Sequence, residues 1–248
     1  MRIFLAGATP FFDNYLKGFD LVKNPVYVLE SFFYMDDQKA RRIPLYKDFL
    51  LDSGAFTFMQ QQKKKKGGSL DWEGYLTSYI RFINKFKIDK FFELDIDLLV
   101  GYEKVKELRK RLEDGTGKKC IPVFHKGRGL VEWEKMCRDY DYVAIGTIYE
   151  YNKRPDVLAK LLHIAARYNT KVHGLGYTRF ELLKQLPFYS VDSTTWCCGA
   201  RYGFIWQFNG DYPKQISTPQ NKKLKAARIT IPHAFEEWVK YQKYMDTE

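Results

Sequence analysis

The sequence predicts an α/β protein folded as a (β/α)8 TIM barrel, one domain over residues 1–248. Three observations predict it. Short runs rich in Val, Ile, Phe and Tyr alternate with longer stretches of helical spacing, which implies parallel strands joined by crossover helices. Eight such runs fit within 248 residues, the number a barrel needs. The rival, an open doubly wound sheet, would carry G-x-G-x-x-G after its first strand; here that strand leads into Gly7-Ala8-Thr9-Pro10.

The expected strands are residues 3–6, 26–30, 49–52, 91–95, 120–124, 142–146, 171–175 and 188–192, several followed by Gly or Ser. The expected helices are residues 71–86, 103–112, 131–138, 155–168 and 179–186, with apolar residues at helical spacing. Pro155 suits a first helical turn. A closing helix is expected over residues 233–245. Residues 60–69 read QQQKKKKGGS and predict a flexible loop. Lys63, Lys64, Lys65 and Lys66 there are either phosphate contacts or a solvated tip. Residues 199–232 predict an aromatic and basic insertion after the eighth strand. Trp206, Phe208 and Tyr212 lie there beside Lys214, Lys222, Lys223 and Lys225. Aromatics interleaved with cations suit unpaired bases, and they equally suit a hydrophobic flap.

Composition narrows the class. Lys plus Arg number 41 against 30 Asp plus Glu, a net charge of +11. Such a surplus attracts a polyanion, or it is a solvated Lys-rich surface. Hydrophobic residues at 45% and aromatics at 17% exclude a disordered tail, a collagen repeat and a disulfide miniprotein. No apolar run approaches the roughly 20 residues of a membrane helix, and the start predicts no secretory signal. Cys120, Cys137, Cys197 and Cys198 include no C-x-x-C pair, which argues against a zinc ribbon. Reduced thiols and a cytoplasmic location are expected.

In a parallel barrel the C-terminal strand ends line the active site. The third strand ends in Asp52-Ser53-Gly54-Ala55-Phe56 and the fourth in Glu93-Leu94-Asp95-Ile96-Asp97. The next ends are Phe124-His125-Lys126, Ile145-Gly146-Thr147, Val172-His173-Gly174 and Val191-Asp192-Ser193. A structural rim needs no such enrichment. Singly, each has a plain role: Asp52 in an Asx turn, Asp192 as a cap, His125 or His173 as a core histidine. Together, facing carboxylates do acid–base or nucleophilic work. No phosphate loop and no G-x-S-x-G elbow occur. A hydrolytic metal site built from Asp52, Asp95, His125, His173 and Asp192 stays open on residue types, as does a non-catalytic nucleic-acid-binding barrel.

Four of these segments carry a resemblance. Asp52-Ser53-Gly54-Ala55-Phe56 resembles the D-S-G-G-F/Y signature of the tRNA-guanine transglycosylases. Residues 140–146, YDYVAIG, resemble their F-D-G-Y-A-I-G-G pattern. Val172-His173-Gly174-Leu175-Gly176 is similar to the M-G-V-G segment, and Val191-Asp192-Ser193 to the F-D-C segment. The four occur in the family's order across residues 49–195. The resemblance implies a barrel that exchanges guanine for a 7-deazaguanine. It implies Asp192 as the nucleophile at sugar C1′ and Asp52 as general acid/base. Asp95, with Asp97 beside it, would read the base edge. The pocket would include Ser53, Gly54, Phe56, Gly146, Thr147, His173 and Gly174. His125 stands where the family usually has Gln.

The departures point to a branch. The family's zinc site of C-x-C-x-x-C plus His is not reproduced by Cys197, Cys198 and His233, and the chain is much shorter. The form resembles the compact, including phage-encoded, DNA transglycosylases that insert 7-deazaguanines such as preQ0. The expected partners are therefore DNA, with tRNA as the alternative, and a free 7-deazaguanine base. No metal and no cofactor are expected.

Overall fold

The computed structural model describes residues 1–64, 71–146, 151, 154–217 and 227–247. Seven parallel strands form the main sheet: β1 (Arg2–Ala6), β2 (Tyr27–Ser31), β3 (Asp48–Asp52), β4 (Val123–Phe124), β5 (Tyr142–Ile145), β6 (Lys171–Gly174) and β7 (Ser190–Ser193). Their spatial order is β3-β2-β1-β7-β6-β5-β4. The helices between and after them are α1 (Thr9–Asn14), α2 (Asp37–Ala40), α3 (Ala55–Lys64), α4 (Trp72–Phe86), α5 (Asp97–Val100), α6 (Tyr102–Thr116), α7 (Gly129–Asp139), α8 (Pro155–Arg167), α9 (Phe180–Leu183), α10 (Gly199–Tyr202) and α11 (Ala227–Thr247). An antiparallel hairpin of β8 (Phe204–Phe208) and β9 (Pro213–Ser217) follows α10. Among the described residues no helix is long and apolar enough to cross a membrane.

The closed eight-stranded barrel expected from the sequence is corrected to an open, curled, seven-stranded sheet. The expected fourth strand, residues 91–95, does not form. Phe91 makes a one-residue bridge to Leu51, and Phe92 another to Ile121. The physical reason is the next residue, Glu93. A second rung toward β4 would use the backbone N–H and C=O of Val123. That N–H instead donates to the Glu93 carboxylate at 2.8 Å, and that C=O accepts from the Arg128 guanidinium. With both groups taken by side chains, the ladder stops after one pair. The chain turns at Leu94 and enters α5.

Sequence patterning explains the two layers. Along β1 to β3, Ile3, Leu5, Val28, Phe49 and Leu51, with Val26 just before β2, pack outward against the helices. The alternate residues Phe4, Ala6, Tyr27, Leu29 and Leu50 fill the inside of the curl with Phe92, Ile121, Val123 and Ala144. Strands buried on both faces read as continuous apolar runs, and period two sorts them. On β7 the same alternation sends Val191 outward and leaves Ser190 and Asp192 on the inner side.

Helix α11 locks the sheet from outside. Its Gln242 amide donates to Ile3 O (2.7 Å) and Tyr27 O (2.9 Å), tying β1 to β2. Trp206 and Phe208 of the hairpin pack on Trp238 and Tyr241 of α11, so these aromatics form a hydrophobic flap. Residues 60–64, expected to open a loop, continue α3. Residues 65–69 lie outside the described part.

Candidate functional site

The C-terminal ends of β3, β4 and β7, with the turn before α5 and the first residue of that helix, gather four carboxylates and one histidine. Asp52 ends β3 and bends back to accept the Gly54 N–H at 2.9 Å. Gly54 has φ +67°, and a Cβ there would stand 2.5 Å from Ser31 Oγ, so only glycine closes this turn. The Asx turn that is the plain reading of Asp52 therefore exists. Burial pushes Asp52 up to about 6; the Gly54 amide opposes this, and the charges of Asp95 and Asp192 add to it. That coupling places Asp52 in one electrostatic site with both.

Asp192 ends the inner face of β7. One oxygen, Oδ1, accepts the Gly176 N–H at 2.7 Å and lies 3.2 Å from His173 Nε2. Oδ2 has no hydrogen-bond donor among the described residues. Gly176 has φ +68°, the turn geometry that delivers its amide to the carboxylate.

Asp95 pairs with His125 Nε2 at 2.5 Å, and Asp97 Oδ1 lies 3.9 Å from the same nitrogen. Burial disfavours the His125 cation, but Asp95 and then Asp97 outweigh it and raise His125 above the usual imidazole range. Asp97 Oδ2 also takes Arg128 at 3.0 Å. Gly146 stands against His125: a Cβ there would meet His125 Cε1 at 2.6 Å and Val123 Cγ1 at 2.9 Å. Asp95, Asp97 and His125 each offer one ligand atom within 4.8 Å of the others, so this trio is the group that would hold a divalent cation. The Arg128 charge beside Asp97 works against one.

The structure thus brings together Asp52, Asp95, Asp97, His125, Gly146, Asp192 and Gly54. Ser53 is buried with its carbonyl bound to the Tyr75 hydroxyl at 2.6 Å, so it supports the turn. His173 is fully buried beneath Asp192, and Gly174 ends β6 beside it. Phe56 lies in the first turn of α3, and Lys63 and Lys64 in its last. Thr147, Lys65, Lys66, Lys222 and Lys223 lie outside the described residues.

Four residues to which the sequence reading assigned no role stand out in the structure. Glu30 on β2 is buried, accepts the Thr9 N–H, and is pushed by burial up to about 7 against that amide. Arg128 and Glu93 form the ionic support under Asp97, with Arg109 Nε 2.6 Å from Glu93. Gly176 is the fourth. A buried acid inside an apolar strand run was the available signal for Glu30 and Glu93. For Gly176 the signal was its place at the end of the Val172–Gly176 segment.

No family model matches the chain, and no curated protein sequence matches it. The carboxyl transferase domain of Rhizobium etli pyruvate carboxylase, solved with 3-bromopyruvate, is similar over 98% of this chain and 48% of that one, at 10% identity and a TM-score of 0.47. The same domain solved with 3-hydroxypyruvate gives 11% identity, coverage of 98% and 48%, and a TM-score of 0.45. The chain spans about half the length of those domains, and a likeness of that degree bears on neither its site nor its reaction.

Proposed function

We propose that this protein is an enzyme, a base-exchange transglycosylase that replaces guanine in DNA with a 7-deazaguanine. The observation that supports it most is the carboxylate set: Asp192 with one oxygen held and one open, beside an Asp52 poised at about 6. A nucleophile and a group that gains and loses a proton near neutrality are what double displacement needs. The four-segment resemblance adds the substrate class.

In this reading a guanine is extruded from the stack, at a cost of a few kcal/mol. Asp192 Oδ2 attacks C1′ and forms an ester-like C–O bond. The C1′–N9 bond breaks, its electron pair leaves with guanine, and Asp52 supplies the proton. The 7-deazaguanine then gives its N9 proton to Asp52 and attacks C1′, releasing Asp192. Two inversions retain configuration, and Asp52 ends as it began. Asp95, held by His125, reads the base edge.

Labelled guanine release from DNA in the presence of preQ0, with tRNA in parallel, tests the reading. Release from DNA, loss of release in Asp192→Ala, and a denaturation-resistant protein–DNA adduct in the wild type are expected. Release that persists in Asp192→Ala removes the nucleophile assignment. Release from tRNA alone transfers the reading to that substrate. A second reading, a metal-dependent hydrolase, rests on the Asp95, Asp97 and His125 trio. Activity abolished by chelator and restored by a divalent cation would select it.

A further inference from the structure

The polar side chains inside the curled sheet form one connected line. Asp192 Oδ1 lies 3.2 Å from His173 Nε2, His173 Nδ1 lies 2.6 Å from Ser190 Oγ, and Ser190 Oγ lies 2.5 Å from the Tyr142 hydroxyl. Strand register sets them side by side. Ala144 of β5 pairs with His173 of β6, and His173 pairs with Ser190 of β7. His173 and Ser190 are wholly buried. Phe4, Phe92 and Tyr142 surround the imidazole, with ring centroids 6.1, 5.4 and 6.4 Å away. A space bounded by three rings would be filled more cheaply by an apolar side chain. The histidine stands there with both nitrogens bonded.

One set of bond directions is consistent with the inventory of hydrogens and with an ionised Asp192, which can only accept. Among the described residues the Tyr142 hydroxyl has one acceptor, Ser190 Oγ. A serine that accepts there has its single hydrogen left for His173 Nδ1. The neutral ring then carries its hydrogen on Nε2, which points at Asp192. The Gly176 amide meets the same oxygen. We propose that Tyr142, Ser190 and His173 are positioning residues. They fix the imidazole tautomer and hold Asp192 in the orientation that presents Oδ2 to its target. The role assigned to Oδ2 rests on the reading of Asp192 as nucleophile; the tautomer does not.

Two measurements separate these claims. Long-range nitrogen–proton correlation on the full chain labelled with 15N-histidine reads the tautomer of each of the four histidines, with His173→Gln assigning the signal. The Nε2–H form is expected in the wild type, with a loss of that single form in Ser190→Ala and Tyr142→Phe. An Nδ1–H or doubly protonated His173, or a tautomer unmoved in both variants, overturns the proposal. Tyr142→Phe removes one oxygen only, and it keeps the test alive if Ser190→Ala folds poorly.

Single-turnover guanine release from DNA reads the consequence. His173→Gln and Ser190→Ala are expected to slow it by about 10- to 100-fold, the effect of weakening one hydrogen bond to a charged group. Tyr142→Phe, two bonds away, should lose less, and KM for DNA should hold within about twofold. Unchanged rates, or losses carried by KM, overturn the positioning role. A wild type that releases no guanine from DNA or tRNA defeats the transglycosylase reading, while the spectra still decide the tautomer.

Discussion

Asp52 combines a catalytic position with a folding penalty. Its native value of about 6 lies above its ordinary 3.8, so between those values the folded chain binds more protons than the unfolded one. Stability therefore falls as pH rises through that window. Glu30, raised from 4.5 to about 7, extends the same fall toward neutrality. Thermal melts should show a lower midpoint at pH 7.5 than at pH 5. Asp52→Asn should recover about 1–2 kcal/mol at neutral pH, because the side chain keeps some solvent contact, and its advantage should vanish near pH 4. The same variant should lose guanine release. In the wild type the release step should slow as pH climbs through about 6, since the departing base needs the protonated form. A stabilised Asp52→Asn that still exchanges bases would separate the penalty from the chemistry.

At the scale of elements, the strand ends were legible because period two and terminal polar residues coincide there. Residues 48–52, 142–145 and 190–193 are strands close to where alternation puts them, so Asp52, Gly146 and Asp192 could be placed at one edge in advance. The 91–95 run failed for a reason invisible to periodicity. Glu93 reads as one polar residue in a strand, yet its partners Arg109 and Arg128 come from α6 and from the turn before α7. Long-range ion pairs carry no local signature. The Asp192–His173–Ser190 contact was equally hidden, because it depends on cross-strand register. The Glu93 cluster should be costly to break. Glu93→Ala strands a buried arginine and a backbone amide, and urea unfolding should show a loss of about 3–5 kcal/mol. Gly146→Ala should displace His125 from Asp95, lowering exchange activity with a smaller effect on stability.

For the whole molecule the relevant quantity is the charge of +11. Binding of a nonspecific DNA duplex should weaken by about 10³-fold or more between 50 and 200 mM salt if six or more phosphates are contacted; a titration series that stays flat would place the cations elsewhere than on a polyanion. The seam at Glu93 has a further consequence, for how the sheet opens. Backbone rungs part only when strands separate, so their amides exchange hydrogen on the clock of large openings. The Val123 amide is fastened by a carboxylate whose other oxygen belongs to Arg109. Its protection should follow the survival of that ionic clasp, falling in acid as the Glu93 carboxylate is neutralised, while the Leu5 and Leu29 amides of β1 and β2 stay protected. The edge of the sheet nearest the chemistry is thus a gate answering to charge, set in a wall answering to burial.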